Sequence, residues 1–535
     1  MKKVFTLLLV FAAMTVFSQE DAWVYFNAKP NSATFLANPL TMLTQRSLDR
    51  RTVQNIPLDF QDVPIHQPYV DQVEAATGIT VMAKSKWFNA VHVRGSQSQI
   101  NTLDNLAFVD HIEFANPDLN IAGRTASPKK LKKVNKTFET LVDFNYGDSG
   151  NQIEMLNGHL LHQQNFTGLG KVIAVMDGGF PGVNTASTFA RLRDNNRILG
   201  GYDYVNRNAN FYSGISHGTM VLSTMGGYKN NQLVGTAPDA SYYLYITEDG
   251  ENEGPLEESL WVEAAEEADR LGVDIITTSL GYSNFDNPDY SHTYEDMNGT
   301  TAFISRGLNI AYSRGMICVV SAGNEGNDDW FYITAPADAT HALTIGAVDE
   351  NGNYAVFSSH GPSFDGRVKP DVVAQGQGSV VSNPSGSITT ANGTSFSGPI
   401  IAGMVASFWQ ALPNATNEEI MQMVKESAHL YNNPNDELGY GIPNFAQALA
   451  NVLGLPKINA TTYVVYPNPA GNTVSVSLPS ESGNITLYNS IGQKMLQQYV
   501  SDQNSVISLE ALHSGMYLYT IEAAGHTQNG KLIKK

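Results

Sequence analysis

Apolar and polar positions fall into three rhythms along the chain. Between residues 20 and 120 short apolar runs alternate with polar stretches of helical spacing. Trp23-Val24-Tyr25-Phe26 predicts a strand and Tyr69 to Thr77 a helix; Ile79 to Met82 and Ala90 to Val93 predict strands around a turn, Ser96 to Leu106 a second helix and His111 to Phe114 a last strand. From about 141 to 455 strands alternate with helices, the pattern of a parallel sheet covered on both faces. Val172-Ile173-Ala174-Val175-Met176 is apolar at every position, and Tyr242 to Ile246, Asp274 to Thr278 and Met316 to Val320 predict further strands. The helix predicted over Glu257 to Leu271 puts Leu260, Trp261, Ala264, Ala265, Ala268 and Leu271 on one face. Its other face carries Glu258, Glu263, Glu266, Glu267 and Asp269 and reads as a solvated acidic surface. After Leu455 short alternating segments (Val474 to Leu478, Ile485 to Leu487, Val506 to Leu509, Tyr517 to Ile521), separated by Pro, Asn and Gly, predict a small β-sandwich.

The first 18 residues change the compartment. Lys2 and Lys3 precede an apolar run from Val4 to Phe17, broken only by Thr6 and Thr15, and small Ser18 then precedes Gln19, Glu20 and Asp21. That is the layout of a secretory signal peptide, too short for a bilayer-spanning helix. No Cys follows the apolar run, which argues against a lipoprotein anchor. The single cysteine, Cys318, excludes an intramolecular disulfide framework and a multi-cysteine zinc site. The net charge of −19 is uneven: residues 140–455 hold 12 Lys/Arg against 35 Asp/Glu, a balance of −23, and the other residues balance to +4. A nucleic-acid partner needs a basic footprint that this central block lacks. Residues 117–140 are polar and basic, with Lys129, Lys130, Lys132, Lys133 and Lys136, and read as an exposed linker.

Four patterns in the central block carry candidate chemistry. Asp177 directly follows the apolar strand 172–176, where open α/β sheets keep their sites, although Asp at a strand end also serves as a cap or turn residue. His217 opens a helix in Ser216-His217-Gly218-Thr219, able to reach across a cleft, although a lone His is more often structural. Asn324 sits in the glycine-lined loop Ser321-Ala322-Gly323-Asn324-Glu325-Gly326, able to make an Asx-turn or to donate to a developing oxyanion. Ser395 starts an apolar helix in Asn392-Gly393-Thr394-Ser395-Phe396-Ser397-Gly398-Pro399, where a serine is a cap or a group in the field of the helix dipole.

Taken together, these blocks resemble the subtilisin-like serine peptidases, the subtilase family, over roughly 144–455. The order Asp, His, Ser along the chain is the subtilisin order. The resemblance implies Ser395 as nucleophile, His217 as general base and then acid, Asp177 as its orienting partner, and Asn324 with the Ser395 backbone N–H as oxyanion hole. It further implies that Ser279-Leu280-Gly281 is the edge that takes the substrate backbone as an added strand, and that Ser321-Ala322-Gly323 is a wall of the specificity pocket; an ordinary strand-end turn is the alternative for both. Gly178 stands where the family usually has Ser or Thr. Phe396, Ser397, Gly398 and Ile400 depart from the commonest run around the nucleophile. The acidic insertion Asn284 to Thr300 could bind structural calcium but lacks a ligand spacing, so it reads as a solvated loop; the metal ligands are unknown and no obligatory cofactor is expected.

The flanks complete the plan. Residues 19–120 resemble the subtilase propeptide, an inhibitor-like α/β (ferredoxin-like) domain. Residues 462–535 resemble the C-terminal sorting domain of type IX secretion cargo, on Val465 to Ala470, Tyr488 to Gly492, Leu512 to Tyr517 and the terminal Lys531 to Lys535. An adhesion or carbohydrate-binding sandwich is the competing reading of the tail. The expected organisation is therefore a signal peptide at 1–18, propeptide 19–120, linker 121–143, an α/β parallel-sheet peptidase domain 144–455 and a β-sandwich 462–535. The expected activity is that of a secreted or surface-attached endopeptidase acting on protein or peptide substrates, with its own propeptide as inhibitor and the secretion machinery as partner. A catalytically silent binding protein on the same scaffold is the alternative.

Overall fold

The computed structural model describes residues 19–120, 144–453, 464–466, 468–477, 482–489, 492–501, 506–523 and 526–535; the signal and most of the basic linker lie outside these. The described residues up to Val452 form one compact unit and those from Leu453 on a second.

The amino-terminal domain is a four-stranded antiparallel sheet in the order β2-β3-β1-β4, with β1 Gln19–Phe26, β2 Thr80–Ser85, β3 Ala90–Ser96 and β4 Val109–Phe114. With the helices Gln67–Glu74 and Gln97–Thr102 this is the ferredoxin-like arrangement expected from the sequence. The alternation along β1 explains its unbroken apolar run. Ala22, Val24 and Phe26 pack with Val70, Val73 and Ile100 beneath the domain's own helices. Trp23 and Tyr25 point the other way, into the core of the central domain, where Trp23 stacks on Phe303 at 4.6 Å between ring centroids. Residues 32–64, for which the sequence pattern predicts no element, form an arm between β1 and the first of those helices; its main piece is the helix Gln45–Val53, capped by Thr44.

The central domain is built on seven parallel strands: β5 Val172–Asp177, β6 Ile198–Asp203, β7 Ser241–Ile246, β8 Ile275–Thr278, β9 Ile317–Ser321, β10 Leu343–Val348 and β11 Val372–Gln375. Their order is β11-β10-β9-β8-β5-β7-β6, so the chain starts mid-sheet, builds one side, and returns to build the other. The carboxyl end of β5, between β7 and β8, is the point where this reversal leaves a crevice. The helices Pro255–Leu271 and Phe303–Ser313 carry the amino-terminal sheet on their outer side.

That contact corrects the reading of the acidic helix face. Glu258, Glu266 and Asp269 are buried, not solvated. Glu266 accepts from Ser85 Oγ at 2.5 Å and from the Lys86 and Trp87 backbone N–H groups at 3.0 and 2.9 Å. Asp269 accepts from Arg50 and Arg51, and Glu258 binds His292 Nε2 at 2.9 Å and the Ile304 N–H at 2.8 Å. A polar face can be covered by a second domain that brings its own donors, and the local sequence cannot register that.

The carboxy-terminal unit has a three-stranded sheet (Val464–Tyr466, Thr473–Ser477, Val506–Ser508) and a four-stranded one (Lys494–Val500, Gly483–Tyr488, Gly515–Ala523, His526–Lys534). Val474, Val476, Ile485, Leu487, Ile507 and Ile521 form its core, as the alternation predicts. In the central domain, Trp261 is fully buried and its indole N–H donates to Thr278 Oγ1 at 3.0 Å, fastening the covered helix to the end of β8. Trp261→Ala is expected to destabilise the full chain by about 3–5 kcal/mol. Trp261→Phe, which leaves Thr278 without that donor, is expected to cost about 1–3 kcal/mol. Denaturant midpoints of the two variants against the unaltered chain check both values.

Candidate active site

β5 is apolar and buried throughout until its last residue, Asp177, whose side chain is fully buried. The chain then turns through Gly178-Gly179, and the Phe180 N–H to Ser213 O and Ile215 N–H to Gly178 O bonds, both 3.0 Å, tie this turn to the segment entering the helix His217–Gly226. Gly218 permits the close approach. A Cβ there would lie 2.5 Å from Gly179 O and 2.9 Å from Asp177 Cβ. In that geometry His217 Nδ1 stands 3.0 Å from both carboxylate oxygens of Asp177, and Asp177 Oδ1 also accepts the Gly178 N–H at 2.8 Å. The Asp177 charge holds the imidazole pKa above its ordinary value, against the opposing effect of burial, with Glu248 adding to the rise.

Ser395 lies in the first turn of the helix Thr394–Ala411, where backbone N–H groups have no intrahelical acceptor. Pro399 sits four residues later, inside the same helix. It has no N–H to give to the Ser395 carbonyl. Ser279 supplies the missing donor, its hydroxyl reaching Ser395 O at 3.0 Å, while Ser395 Oγ donates weakly to Ser279 O at 3.4 Å. Ser279, predicted as part of a substrate-pairing edge, therefore spends its side chain on positioning the serine-bearing helix. Among the described residues no hydrogen bond joins His217 to Ser395; the Phe396 ring, 5.9 Å from the imidazole between centroids, brings the two segments together.

Asn324 follows β9 in an exposed loop. Its Oδ1 accepts from the Thr394 backbone N–H at 2.9 Å and lies 3.1 Å from Thr394 Oγ1. The acceptor end is thus anchored one residue from Ser395, and the amide N–H groups are left as donors. Leu280 and Gly281 carry no backbone–backbone hydrogen bond among the described residues, whereas the next residue, Tyr282, pairs with Ala335 at 2.7 and 3.1 Å. An edge with free backbone groups thus opens beside the serine. Ser321 and Ala322 are buried at the end of β9, and the Gly323 carbonyl accepts from the Ser359 N–H and Thr394 Oγ1, each at 3.1 Å.

Two residues without a sequence signal complete the site. Ile215 fills the space that a side chain at Gly178 would need, its Cδ1 being 2.7 Å from the position of a Cβ there. Glu248, just past the end of β7, brings its carboxylate to 3.5 Å from that same position. Burial first, and then the charge of Asp177, push the Glu248 carboxyl up to about 7. In the acidic loop 284–300, Asp296 accepts from the Thr293 N–H and hydroxyl, both at 2.8 Å, and Asp286 from the Glu253 N–H at 3.1 Å. Among the described residues no three His, Cys, Asp or Glu side chains converge as cation ligands do.

Comparison with known proteins places each part of the chain. Residues 168–441 match the model of the subtilase family, 21–134 that of the peptidase S8 propeptide domain of Bacteroidota, and 464–535 that of the secretion system C-terminal sorting domain. Subtilisin BL of Lederbergia lenta is 30% identical over 268 residues, 50% of this chain and 86% of that protein. M-protease of Shouchella clausii is 30% identical over 275 residues, 51% and 63% of the two chains. Serine protease AprX of Bacillus subtilis is 29% identical over 292 residues, 49% and 62%. The crystal structure of MycP1 with its N-terminal propeptide removed aligns over 56% of this chain and 96% of that one, with a TM-score of 0.45 and 22% identity. A buried aspartate bonded to a histidine at the crevice of a parallel sheet, the extent of the family match and the identity to subtilisins lead to one assignment: the chain belongs to the subtilase family, as a subtilisin-like serine peptidase made with a propeptide and with a sorting domain for secretion or outer-surface attachment.

Proposed function

We propose that the chain is a secreted endopeptidase that hydrolyses peptide bonds through Asp177, His217 and Ser395 and an acyl-enzyme. The observation that carries this reading is the Asp177–His217 pair, with both carboxylate oxygens 3.0 Å from Nδ1. Holding Nδ1 as the protonated nitrogen leaves Nε2 as the base. An extended substrate adds as a strand along Leu280 and Gly281, which places its scissile carbonyl over Ser395. The Ser395 hydroxyl leaves its 3.4 Å contact with Ser279 O and turns to His217, which takes the proton as Oγ attacks the carbonyl carbon. The oxyanion that forms accepts from the Asn324 amide and the Ser395 backbone N–H at the positive end of its helix. His217 then gives the proton to the leaving amine and the carbon–nitrogen bond breaks. Water, deprotonated by His217, releases the acyl group by the same path and restores the serine. Side chains and backbone N–H groups handle every proton and charge in this scheme, so it calls for no cofactor. The propeptide keeps the precursor latent, and the tail is the recognition element for export.

A fluorophosphonate probe tests the scheme: it is expected to label the processed chain and to fail on Ser395→Ala. Absence of both labelling and cleavage of any denatured protein by the processed chain would leave the silent-scaffold reading. Asn324→Ala is expected to lower kcat by about 100- to 1000-fold with little change in KM. His217 works only when neutral, so activity falls as pH drops through its pKa. Glu248→Gln removes one of the charges that raise that pKa, and the acid limb of the kcat/KM profile is expected to move to lower pH. A limb that stays in place or rises would contradict the electrostatic role of Glu248. Deleting residues 462–535 is expected to leave the protein in the periplasm, read by fractionation of expressing cells.

A further inference from the structure

The arm formed by residues 32–64 carries a cluster of buried charged contacts to the peptidase domain. Arg51 is almost fully buried and bridges Asp62 of its own arm, at 2.8 Å, to Asp269 of the peptidase domain, at 2.8 and 2.9 Å. Arg50 also binds Asp269, at 2.5 Å, and donates to Val273 O. Arg46 reaches Asp274 at 2.5 Å, Gly272 O at 2.8 Å and Gly170 O at 3.1 Å. Gln54 donates to Gly315 O at 2.8 Å and accepts from the Asn417 N–H at 3.1 Å. In the reverse direction Arg314 of the peptidase domain forks onto Asp59, both bonds 3.0 Å.

The peptidase residues in this set share one place in the fold. Gly170, Asp274 and Gly315 precede β5, β8 and β9, so they lie at the amino ends of the strands whose carboxyl ends lead to Asp177, Ser279 and Asn324. At about 3.3 Å per residue, Asp274 is roughly 16 Å from Ser279 along the strand. The contact surface is also shaped for its occupant. A Cβ on Gly272 would meet Arg46 Cγ and the Ser47 N at 2.7 Å.

We propose that the peptidase domain has a second propeptide-docking surface at the amino ends of β5, β8 and β9, built to take the arginine-bearing arm, and that this surface keeps the propeptide attached after the linker has been cut. The inference rests on the reading of the chain as a peptidase that sheds its propeptide. Separation at the cleft alone does not free the arm. To leave, it must break the bonds of both guanidinium groups to a carboxylate that has no exposure in the docked state before water can reach it, and buried charge pairs of this kind slow dissociation.

The test uses the full chain and follows, after self-processing, the rate at which the propeptide stops co-eluting with the peptidase domain. Arg46→Gln removes a half-exposed pair and is expected to speed release about two- to fivefold. The double change Arg50→Lys with Arg51→Lys keeps the charge, loses the forked geometry, and is expected to speed release by about 30-fold or more. In both, kcat/KM after release is expected to equal that of the unaltered enzyme. Release rates within 1.5-fold of the unaltered chain in both variants would overturn the inference, as would a change in kcat/KM that matches the change in release. Should the double variant not fold, Arg46→Gln decides alone. A chain that never hydrolyses a peptide fails the peptidase reading, not this one. Amide exchange on the Ser395→Ala full chain then decides: the inference expects faster exchange over 45–54 in Arg46→Gln with β1–β4 still protected, and unchanged exchange over 45–54 overturns it.

Discussion

The unit formed by the propeptide and peptidase domains depends on how three carboxylates on one helix are satisfied. Glu258, Glu266 and Asp269 of Pro255–Leu271 are all buried, and an ionised carboxylate without partners costs several kcal/mol in such a place. Glu258 is satisfied within the peptidase domain, by His292 and the Ile304 N–H. The other two are satisfied by the propeptide, in different ways. Burial pushes the Glu266 carboxyl up, outweighing the opposing charge of Lys86 and the hydrogen bonds from the Ser85 hydroxyl and two backbone N–H groups. Burial acts on Asp269 as well, but the charges of Arg51 and Arg50 outweigh it and hold its carboxyl below the usual range. Docking of the propeptide thus takes these two carboxylates out of water and in the same step supplies the donors that satisfy them.

The same helix links that interface to the chemistry. Its apolar side includes Trp261, whose bond to Thr278 holds the end of β8, and the next residue along, Ser279, replaces the donor that Pro399 withholds from the Ser395 carbonyl. On the other side of β5, the Asp177–His217 pair is set by a turn that only glycine at 218 allows to close. Asp177, His217 and Ser395 thus come from a strand end and two helix starts, elements whose positions the sheet fixes, while Asn324 is held from a loop by its bond to Thr394.

Much of this is legible in the amino-acid sequence. β5, β7, β8 and β9 lie where the apolar runs put them, because strands buried on both faces carry runs of apolar residues with few polar positions to blur the pattern. Asp177, His217, Asn324 and Ser395 were singled out from their positions beside strand ends and helix starts, and the first two prove to be directly bonded. The arm 32–64 was not legible. Its helix is short, and its residues Arg46, Arg50 and Arg51 resemble those of any solvated helix until Asp269 and Asp274 are brought to them. Glu248 was missed for a similar reason: nothing local separates it from its exposed neighbours Gly250 and Glu251.

By itself, then, the amino-acid sequence determined the fold class, the division into propeptide, peptidase and sorting domains, and the residue types available for catalysis. The fold class and the available residue types follow from periodicity and local chemistry, which act over a few residues; the propeptide, peptidase and sorting readings come from resemblance to known families. Tertiary structure decided which polar groups meet. It turned an acidic face that reads as solvated into a buried docking surface, and it made Ser279 a support for the serine-bearing helix, where the sequence alone suggests a substrate edge. It also brought Glu248 beside the Asp177–His217 pair. The physical reason is the same in each case: a polar side chain needs a partner or water, and the sequence names the need without naming the partner.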